Sequence, residues 1–306
     1  MTRAIAVVGA GAMGCLLAAD LAASGQEVVL VARLRTSANR LNQGICIKSG
    51  DVVKTQRVRV VAAEDMRAAD GPPVVVSTVK SYDLPDSLHQ VVKWLPSNGL
   101  VITLQNGLEA PTIATEVFGA DRVLAGVTET AAARDAATPG EIESNGPGRT
   151  WIGRPGGKAD AAVRHIRTVF RAAGWHVEDT DDVGGALWAK AAVNAAINPV
   201  GALLRKSNGW LAGNESARDL LIEVATEVGK VAHKSGHPLA DPGGRVLEVA
   251  RRTGANRCSM LQDIEAGRRT EIDAITGAIL RRAEKVGIEV PINRTLFQLV
   301  SAVSRT

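Results

Sequence analysis

A glycine-rich turn near the start of the chain constrains the fold more than any other stretch. An apolar run at residues 4–8 leads into this turn, a helical run follows it as far as Ser24, and a second apolar run begins at Val28. The turn reads Gly9-Ala10-Gly11-Ala12-Met13-Gly14. This order predicts a βαβ unit with a glycine-rich first turn, which is the arrangement that binds dinucleotides in doubly wound folds.

Each glycine of the turn has a physical role in that interpretation. Gly9 permits a tight turn out of the strand, Gly11 lets the backbone approach a diphosphate, and Gly14 lets the helix pack closely on the sheet. The backbone N–H groups and the positive end of the helix dipole would then face the phosphates. The alternative is a glycine-rich turn in some other α/β protein.

The residue that ends the second strand bears on the choice of dinucleotide. NAD-binding proteins usually place a carboxylate there, which accepts a hydrogen bond from the ribose 2′-hydroxyl. This chain has Arg33, with Arg35 two residues later and no acidic residue beside them in the sequence. A guanidinium can pair with a 2′-phosphate, so the sequence predicts NADP(H). The alternative is a solvated surface arginine.

Composition narrows the class of protein. The chain has 306 residues, 45% of them hydrophobic and 22% charged, with a net charge of +4. This length suggests two domains. Only 3% of the residues are aromatic and the basic residues form no run, so we expect no nucleic-acid partner. The five histidines show no metal-ligand spacing, so we expect no metal.

Cysteine usage and the N-terminal residues bear on location. The three cysteines lie far apart without a CxxC pair, which is typical of reduced thiols. The N-terminus enters a strand at once, so we expect no signal peptide, and no apolar run is long enough to span a membrane. We therefore expect a cytoplasmic protein with no membrane partner.

The pattern along the chain predicts two domains of different class. Residues 1–181 are expected to form a Rossmann-type, doubly wound α/β sheet domain that binds NADP(H), and residues 182–306 an all-α domain that binds the substrate. Strands at residues 74–79 and 100–104 end at Lys80 and at Gln105-Asn106-Gly107, on the sheet edge where ligands bind. Short runs at residues 123–133, 140–144 and 149–153 suggest an antiparallel extension of the sheet. One helix is expected over residues 259–286.

A polar stripe marks the first helix of the second domain. Lys190, Asn194 and Asn198 follow one another at intervals of four residues, so they share one face of a helix whose other residues are apolar. Burying such groups without partners is costly, and a polar substrate would satisfy them. The spacing fits equally a solvent-facing stripe on an amphipathic helix.

Two polar residues farther along are plausible ligand contacts. Ser259 and Glu271 lie in the blocks Ser259-Met260-Leu261-Gln262-Asp263 and Thr270-Glu271-Ile272-Asp273. For Glu271 the alternative is a carboxylate on a helix surface, paired with Arg268, Lys285 or water.

Taken together, these residues resemble the ketopantoate reductase (2-dehydropantoate 2-reductase) family, and the resemblance covers nearly the whole chain. The motifs that carry it occur in order: the glycine turn, Lys80, Gln105-Asn106-Gly107, Lys190, Asn194, Asn198-Pro199, Asn208-Gly209 and the blocks that begin at Ser259 and Thr270. The lysine–asparagine helix and the two last blocks are specific to this family, whereas the glycine turn is not.

The resemblance implies a role for each matching position. It makes Lys190 the general acid and a substrate contact, and Glu271 an active-site carboxylate near the nicotinamide ribose. On the cofactor side it places the glycine turn, Arg33, Lys80, Asn106, Ala132 and Glu271. On the substrate side it places Asn106, Asn194, Asn198, Asn208, Asn256 and Ser259. The implied reaction is reduction of 2-dehydropantoate by NADPH in pantothenate and coenzyme A synthesis.

Two departures from the family pattern leave other substrates open. Cys258 stands where a second serine is frequent, and residues 140–144 lack a histidine that is often present. The alternatives are an NADPH-dependent reductase of another branched or aromatic 2-oxo acid, an opine-type dehydrogenase, and a non-catalytic NADPH sensor. The long apolar helices near the C-terminus could pack within the monomer or across a homodimer.

Overall fold

The computed structural model describes residues 4–134, 141–144 and 146–304. The chain forms two compact units. The first comprises Met1–Gln105 and Ala110–Val183, and the second comprises Asn106–Glu109 and Gly184–Thr306. The four residues after Gln105 therefore group with the second unit, although they follow a strand of the first.

The main sheet of the first unit contains eight strands among the described residues. They are β1 (Ile5–Val8), β2 (Val28–Ala32), β5 (Arg59–Ala62), β6 (Val74–Ser77), β7 (Leu100–Thr103), β8 (Val123–Thr128), β11 (Arg149–Gly153) and β12 (His176–Glu178). Their order is β12-β11-β8-β7-β6-β1-β2-β5. All neighbours are parallel except β8 and β11. The predicted doubly wound sheet is confirmed.

Burial explains why the central strands read as unbroken apolar runs. Every residue of β1, β2 and β6 is buried, as expected of parallel strands that are covered on both faces. The helices of this unit are α1 (Ala12–Ala23), α2 (Arg35–Leu41), α3 (Leu84–Val92), α4 (Ala110–Phe118) and α5 (Ala161–Ala172).

A second, four-stranded sheet corrects the predicted antiparallel extension. It contains β3 (Ile45–Ser49), β4 (Val52–Gln56), β9 (Ala132–Arg134) and β10 (Glu141–Ser144), in the order β4-β3-β10-β9. Of the three predicted runs, as far as the structure describes them, only β11 extends the main sheet antiparallel to β8. The prediction for residues 132–144 was wrong because β10 pairs with β3, a strand far earlier in the chain. Gly140, the predicted start of that run, lies outside the described residues.

The second unit is helical, as predicted. Its helices are α6 (Val183–Leu204, whose first residue belongs to the first unit), α7 (Asn208–Gly213), α8 (Glu215–Lys234), α9 (Pro242–Arg252), α10 (Ser259–Glu265), α11 (Ala278–Val286) and α12 (Pro291–Val303). A single π-helical turn, Asp273–Gly277, precedes α11. Buried residues from all these helices form one apolar cluster.

The single helix predicted over residues 259–286 was wrong. After α10 the chain turns at Gly267, whose φ of +63° suits glycine. Arg268 then donates its backbone N–H to the carbonyl of Asp263 at 2.8 Å and its guanidinium to the Asp263 carboxylate at 2.9 Å. These contacts end α10 and start a new segment at Thr270, which apolar periodicity alone does not show.

A buried carboxylate fixes the start of α12. Pro291 stands in the first turn of this helix, where its missing N–H group is not needed. The carboxylate of Glu227, on α8, accepts the backbone N–H groups of Ile292 at 3.0 Å and Asn293 at 2.9 Å, and the Asn293 side chain at 2.8 Å. It thus satisfies helix donors that would otherwise lack partners.

Among the helices that the structure describes, none combines the length and the apolar character that a membrane span requires.

Candidate functional site

The glycine turn of the first unit has the predicted strand–turn–helix form. Gly9 follows β1 with φ of +112°, and a Cβ there would lie 2.7 Å from the backbone nitrogen of Val79. At Gly14 a Cβ would lie 1.9 Å from the carbonyl oxygen of Gly9. Both positions therefore require glycine for steric reasons.

Gly11 differs because nothing lies within 4 Å of the position that its Cβ would take. It is exposed and is the N-cap residue of α1, and no side-chain hydrogen bond caps this helix. The backbone N–H groups of the first turn are thus left to an outside acceptor. The start of α1 is thus open and uncapped at Gly11, while Gly9 and Gly14 are closely packed. This arrangement is suited to binding a diphosphate.

The segment after β6 braces this turn. Thr78 donates its hydroxyl to the carbonyl of Gly9 at 2.9 Å, and its backbone N–H bonds the carbonyl of Val8 at 2.8 Å. The buried side chain of Gln105 donates to the Ser77 hydroxyl at 2.8 Å and to the Val79 carbonyl at 3.3 Å. Lys80 follows directly and is half-buried. The structure thus brings the Lys80 segment to the glycine turn.

The surroundings of the two arginines after β2 differ from the expectation drawn from the sequence. Arg33 is largely exposed, and its guanidinium lies 3.8 Å from the carboxylate of Asp83. Arg35 pairs with Glu64 at 3.0 Å and with Asp65 at 2.7 Å, and these carboxylates raise the pKa of its guanidinium. Acidic residues distant in sequence therefore lie near the end of β2, and Arg35 forms ion pairs with two of them. Arg33 remains the candidate for binding a 2′-phosphate.

Strand β9 carries Ala132 and, two residues later, Arg134. Ala132 is half-buried and packs against the apolar cluster that contains α1. Arg134 donates a hydrogen bond from Nη2 to the carbonyl of Ala10, within the glycine turn. Arg134 is not predicted from the sequence, because no local spacing links β9 to this turn.

In the second unit, α6 carries the predicted stripe. Lys190 and Asn194 are half-buried and Asn198 is 6% exposed. Burial therefore increases along the stripe toward Asn198. The interpretation of the stripe as solvent-facing is wrong for Asn198, which is buried.

Helix α7 and the start of α10 bring a second set of predicted residues together. Asn208 donates its backbone N–H to the carbonyl of Asn256 at 3.0 Å and its side chain to Thr253 at 2.8 Å, and its Oδ1 is buried without a hydrogen-bond partner. Cys258 donates its thiol to the carbonyl of Asn198 at 3.5 Å, which places Ser259, exposed at the start of α10, beside the stripe. Asn198, Asn208, Asn256 and Ser259 thus form one neighbourhood.

Asn106 and Glu271 form another pair. Glu271 is 7% exposed, so it is not a carboxylate on a helix surface, and Asn106 donates to its Oε2 at 3.1 Å. Arg281 holds the same segment, since it donates to both oxygens of Glu109 at 2.9 and 2.7 Å and to Asp273 at 2.9 Å. The candidate residues therefore fall into two sets, with the glycine turn, Arg33, Lys80 and Ala132 in the first unit and the others in the second.

The described residues contain no group of three or more His, Cys, Asp or Glu placed to hold a metal ion. Burial raises the pKa of the thiols of Cys15 and Cys258 to about 11. Both thiols are therefore protonated near neutral pH and are poor nucleophiles.

Comparison with known proteins points to one family. The sequence model described as "Ketopantoate reductase PanE/ApbA" matches residues 5–157, and that of its C-terminal domain matches residues 182–304. The 2-dehydropantoate 2-reductase of Archaeoglobus fulgidus is 33% identical over 299 residues, which cover 98% of this chain and 97% of the relative.

Two solved structures have the same fold. A PanE/ApbA family ketopantoate reductase from Ralstonia eutropha JMP134 is 31% identical, with a TM-score of 0.86 and 98% of each chain covered. A D-mandelate dehydrogenase in complex with NADH and anilino(oxo)acetate is 24% identical, with a TM-score of 0.91, and covers 98% of this chain and 97% of its own.

Proposed function

This chain belongs to the ketopantoate reductase family of pyridine-nucleotide-dependent oxidoreductases, and we propose that it reduces 2-dehydropantoate to pantoate with NADPH. The observation that carries this proposal is the stripe on α6, where Lys190 and Asn194 are half-buried and Asn198 is buried. A binding protein without chemistry has no need for an ammonium group on such a face. The stripe supports an enzyme over the non-catalytic sensor.

Residues of the first unit would hold the cofactor. The open, uncapped start of α1 at Gly11 suits the diphosphate, and Arg33 suits the 2′-phosphate. Lys80 and the backbone of Ala132 complete the contribution of this unit. Asn106 and Glu271, which belong to the second unit, would contact the nicotinamide ribose. When bound, NADPH supplies the hydride that reduces C2 of the 2-oxo acid.

Lys190 would act on the oxygen of that carbonyl. Its ammonium group would stabilise the negative charge that builds on the C2 oxygen and then donate a proton to it. An ammonium suits this role because it is positive before the reaction and can lose a proton afterwards.

Neutral side chains would position the substrate. The asparagines at positions 194, 198 and 208 would bind its hydroxyl and carbonyl oxygens, and Asn256 and Ser259 its carboxylate. The buried Oδ1 of Asn208, which has no hydrogen-bond partner, is an acceptor that a substrate hydroxyl would satisfy. Because these groups carry no charge, they orient the anion without competing with Lys190.

A second candidate keeps the reaction but changes substrate and cofactor. The carboxylate of Asp83, 3.8 Å from Arg33, would disfavour a 2′-phosphate and favour NADH. The sequence departures at Cys258 and at residues 140–144 would go with a different substrate, another branched or aromatic 2-oxo acid.

The decisive experiment is a substrate panel with both cofactors. Purified protein is assayed by loss of absorbance of NADPH or NADH with ketopantoate, 2-oxoisovalerate and benzoylformate. We expect the highest kcat/KM for ketopantoate with NADPH. A preference for benzoylformate with NADH would favour the second candidate, and cofactor binding without turnover of any acid would favour the sensor.

The cellular setting follows from the proposed reaction. We place the enzyme in the cytoplasm, in pantothenate and coenzyme A synthesis. Its two buried thiols, Cys15 and Cys258, are consistent with a reducing compartment. Assembly as a homodimer stays a prediction.

A further inference from the structure

We propose that Arg134 binds the diphosphate of the dinucleotide. This inference rests on the proposed function, because it assigns a further contact to the same cofactor. Its basis is the hydrogen bond from Nη2 of Arg134 to the carbonyl oxygen of Ala10. That carbonyl lies one residue before Gly11, the N-cap residue of α1.

The register of β9 explains why Arg134 reaches the turn. Side chains alternate between the two faces of a strand, so Ala132 and Arg134 point the same way. Ala132 packs against the apolar cluster to which α1 belongs. Pairing with β10 holds this register, since Arg134 lies opposite Ile142 and Ala132 opposite Ser144. The guanidinium is therefore placed by a sheet rather than by a loop.

Within the described part of the chain, no carboxylate balances the charge of this guanidinium. Across residues 4–134, 141–144 and 146–304, no carboxylate forms an ion pair with Arg134. The nearby thiol of Cys15 donates to the same Ala10 carbonyl at 3.6 Å. Since burial raises the pKa of this thiol to about 11, it is neutral and offers no countercharge.

Two positive groups thus meet at the glycine turn. One is the exposed guanidinium of Arg134, and the other is the N-terminus of α1, a helix of 12 residues that no side chain caps. An anion bound there would be attracted by both. A guanidinium has five N–H donors in a fork, so one bond to Ala10 leaves donors for phosphate oxygens.

The position of Arg134 indicates which phosphate of the cofactor it would bind. The 2′-phosphate is expected near Arg33, beyond the end of β2, whereas Arg134 lies at the turn after β1. Arg134 would therefore act on the diphosphate, which NADPH and NADH share. Its contribution is independent of the choice between the two cofactors.

Binding measurements with cofactor fragments test this assignment. Affinities for NADPH are measured by fluorescence titration, and those for 2′-phospho-ADP-ribose and adenosine 2′-phosphate by competition. The variants are Arg134→Met and Arg134→Lys. Arg57→Met is the matched control because Arg57 is exposed just before β5. It therefore lies at the amino ends of the parallel strands of the main sheet, whereas the glycine turn follows the carboxyl end of β1. Thermal unfolding verifies that each variant is folded.

We expect Arg134→Met to weaken NADPH and 2′-phospho-ADP-ribose by about tenfold or more, the usual effect of losing a charge-assisted hydrogen bond. Adenosine 2′-phosphate has no diphosphate and should change less than about twofold. Arg134→Lys keeps the charge without the fork and should be intermediate. Arg57→Met should change none of the three affinities.

Two results would overturn the assignment while the proposed function stands. One is an unchanged affinity of the folded Arg134→Met variant for NADPH, and the other is an equal loss for adenosine 2′-phosphate. If the wild-type protein prefers NADH, the same comparison uses NADH, ADP-ribose and adenosine. Wild-type protein that binds neither cofactor would overturn the proposed function and the role of Arg134 together.

Discussion

Asn106 donates a hydrogen bond from Nδ2 to Oε2 of Glu271 at 3.1 Å, across 165 positions of sequence. The next residue shows how tightly this segment is held in the second unit. Gly107 has φ of +95°, and a Cβ there would lie 2.1 Å from the carbonyl oxygen of Ala274, in the π-helical turn. The Asn106–Glu271 pair therefore depends on a close backbone contact that only glycine permits.

Replacing Gly107 by alanine should destabilise the protein and disturb this pair. The positive φ alone costs a non-glycine residue about 1–2 kcal/mol, and the overlap with Ala274 adds to it. We expect a loss of more than about 2 kcal/mol in the free energy of unfolding, measured by urea denaturation. Gly119→Ala is the matched control because Gly119 has φ of +83° and nothing within 4 Å of its Cβ position. Equal losses in both variants would show that the contact with Ala274 is unimportant.

Much of the first unit could be predicted because its signals are local. The strand Val28–Ala32 and the positions of Gly9 and Gly14 follow from short-range apolar and glycine patterns. What could not be predicted depends on pairing between distant segments, as in the second sheet, where β10 lies beside β3. The same holds for the site. The stripe on α6 is visible in the sequence, whereas the contact of Arg134 with Ala10 and that of Asp83 with Arg33 exist only after folding.

Lys190→Met should abolish most of the turnover without preventing cofactor binding. Methionine keeps much of the aliphatic length but can neither stabilise the developing oxyanion nor donate a proton. We expect kcat to fall by about 100-fold to 10,000-fold, while the Kd for NADPH changes little. Steady-state kinetics and fluorescence titration separate the two effects. Lys230→Met, at an exposed position on α8, is the control and should behave as wild type. Near-normal turnover in Lys190→Met would remove Lys190 from the mechanism.

Arg33→Asp should shift the cofactor preference toward NADH. A carboxylate repels the 2′-phosphate and can accept a hydrogen bond from a 2′-hydroxyl. We expect KM for NADPH to rise by about tenfold or more, with a smaller change for NADH. Arg35→Gln provides the control because Arg35 is already paired with Glu64 and Asp65. Asp83→Asn should lower KM for NADPH by removing a competing carboxylate. An unchanged ratio of the two KM values in Arg33→Asp would discard the argument for NADP(H).

Asp20 should make the stability of the first unit depend on pH. Its carboxylate accepts a hydrogen bond from the Trp175 indole at 3.0 Å, and burial raises its pKa from 3.8 to about 6. The folded protein thus holds a proton that the unfolded chain releases between these values, so stability falls as pH rises from 4 to 6. Above that range the buried charge costs about 1–2 kcal/mol, allowing for partial exposure.

Asp20→Asn removes this charge and keeps an acceptor for Trp175. We expect the variant to be more stable than wild type at pH 7.5 and about equal to it near pH 4, as measured by urea denaturation at both pH values. Asp51→Asn, in the exposed turn between β3 and β4, controls for the loss of one negative charge. An advantage of Asp20→Asn that is equally large at both pH values would mean that the substitution acts through packing, because a titrating carboxylate costs nothing once the folded and unfolded chains both carry its proton.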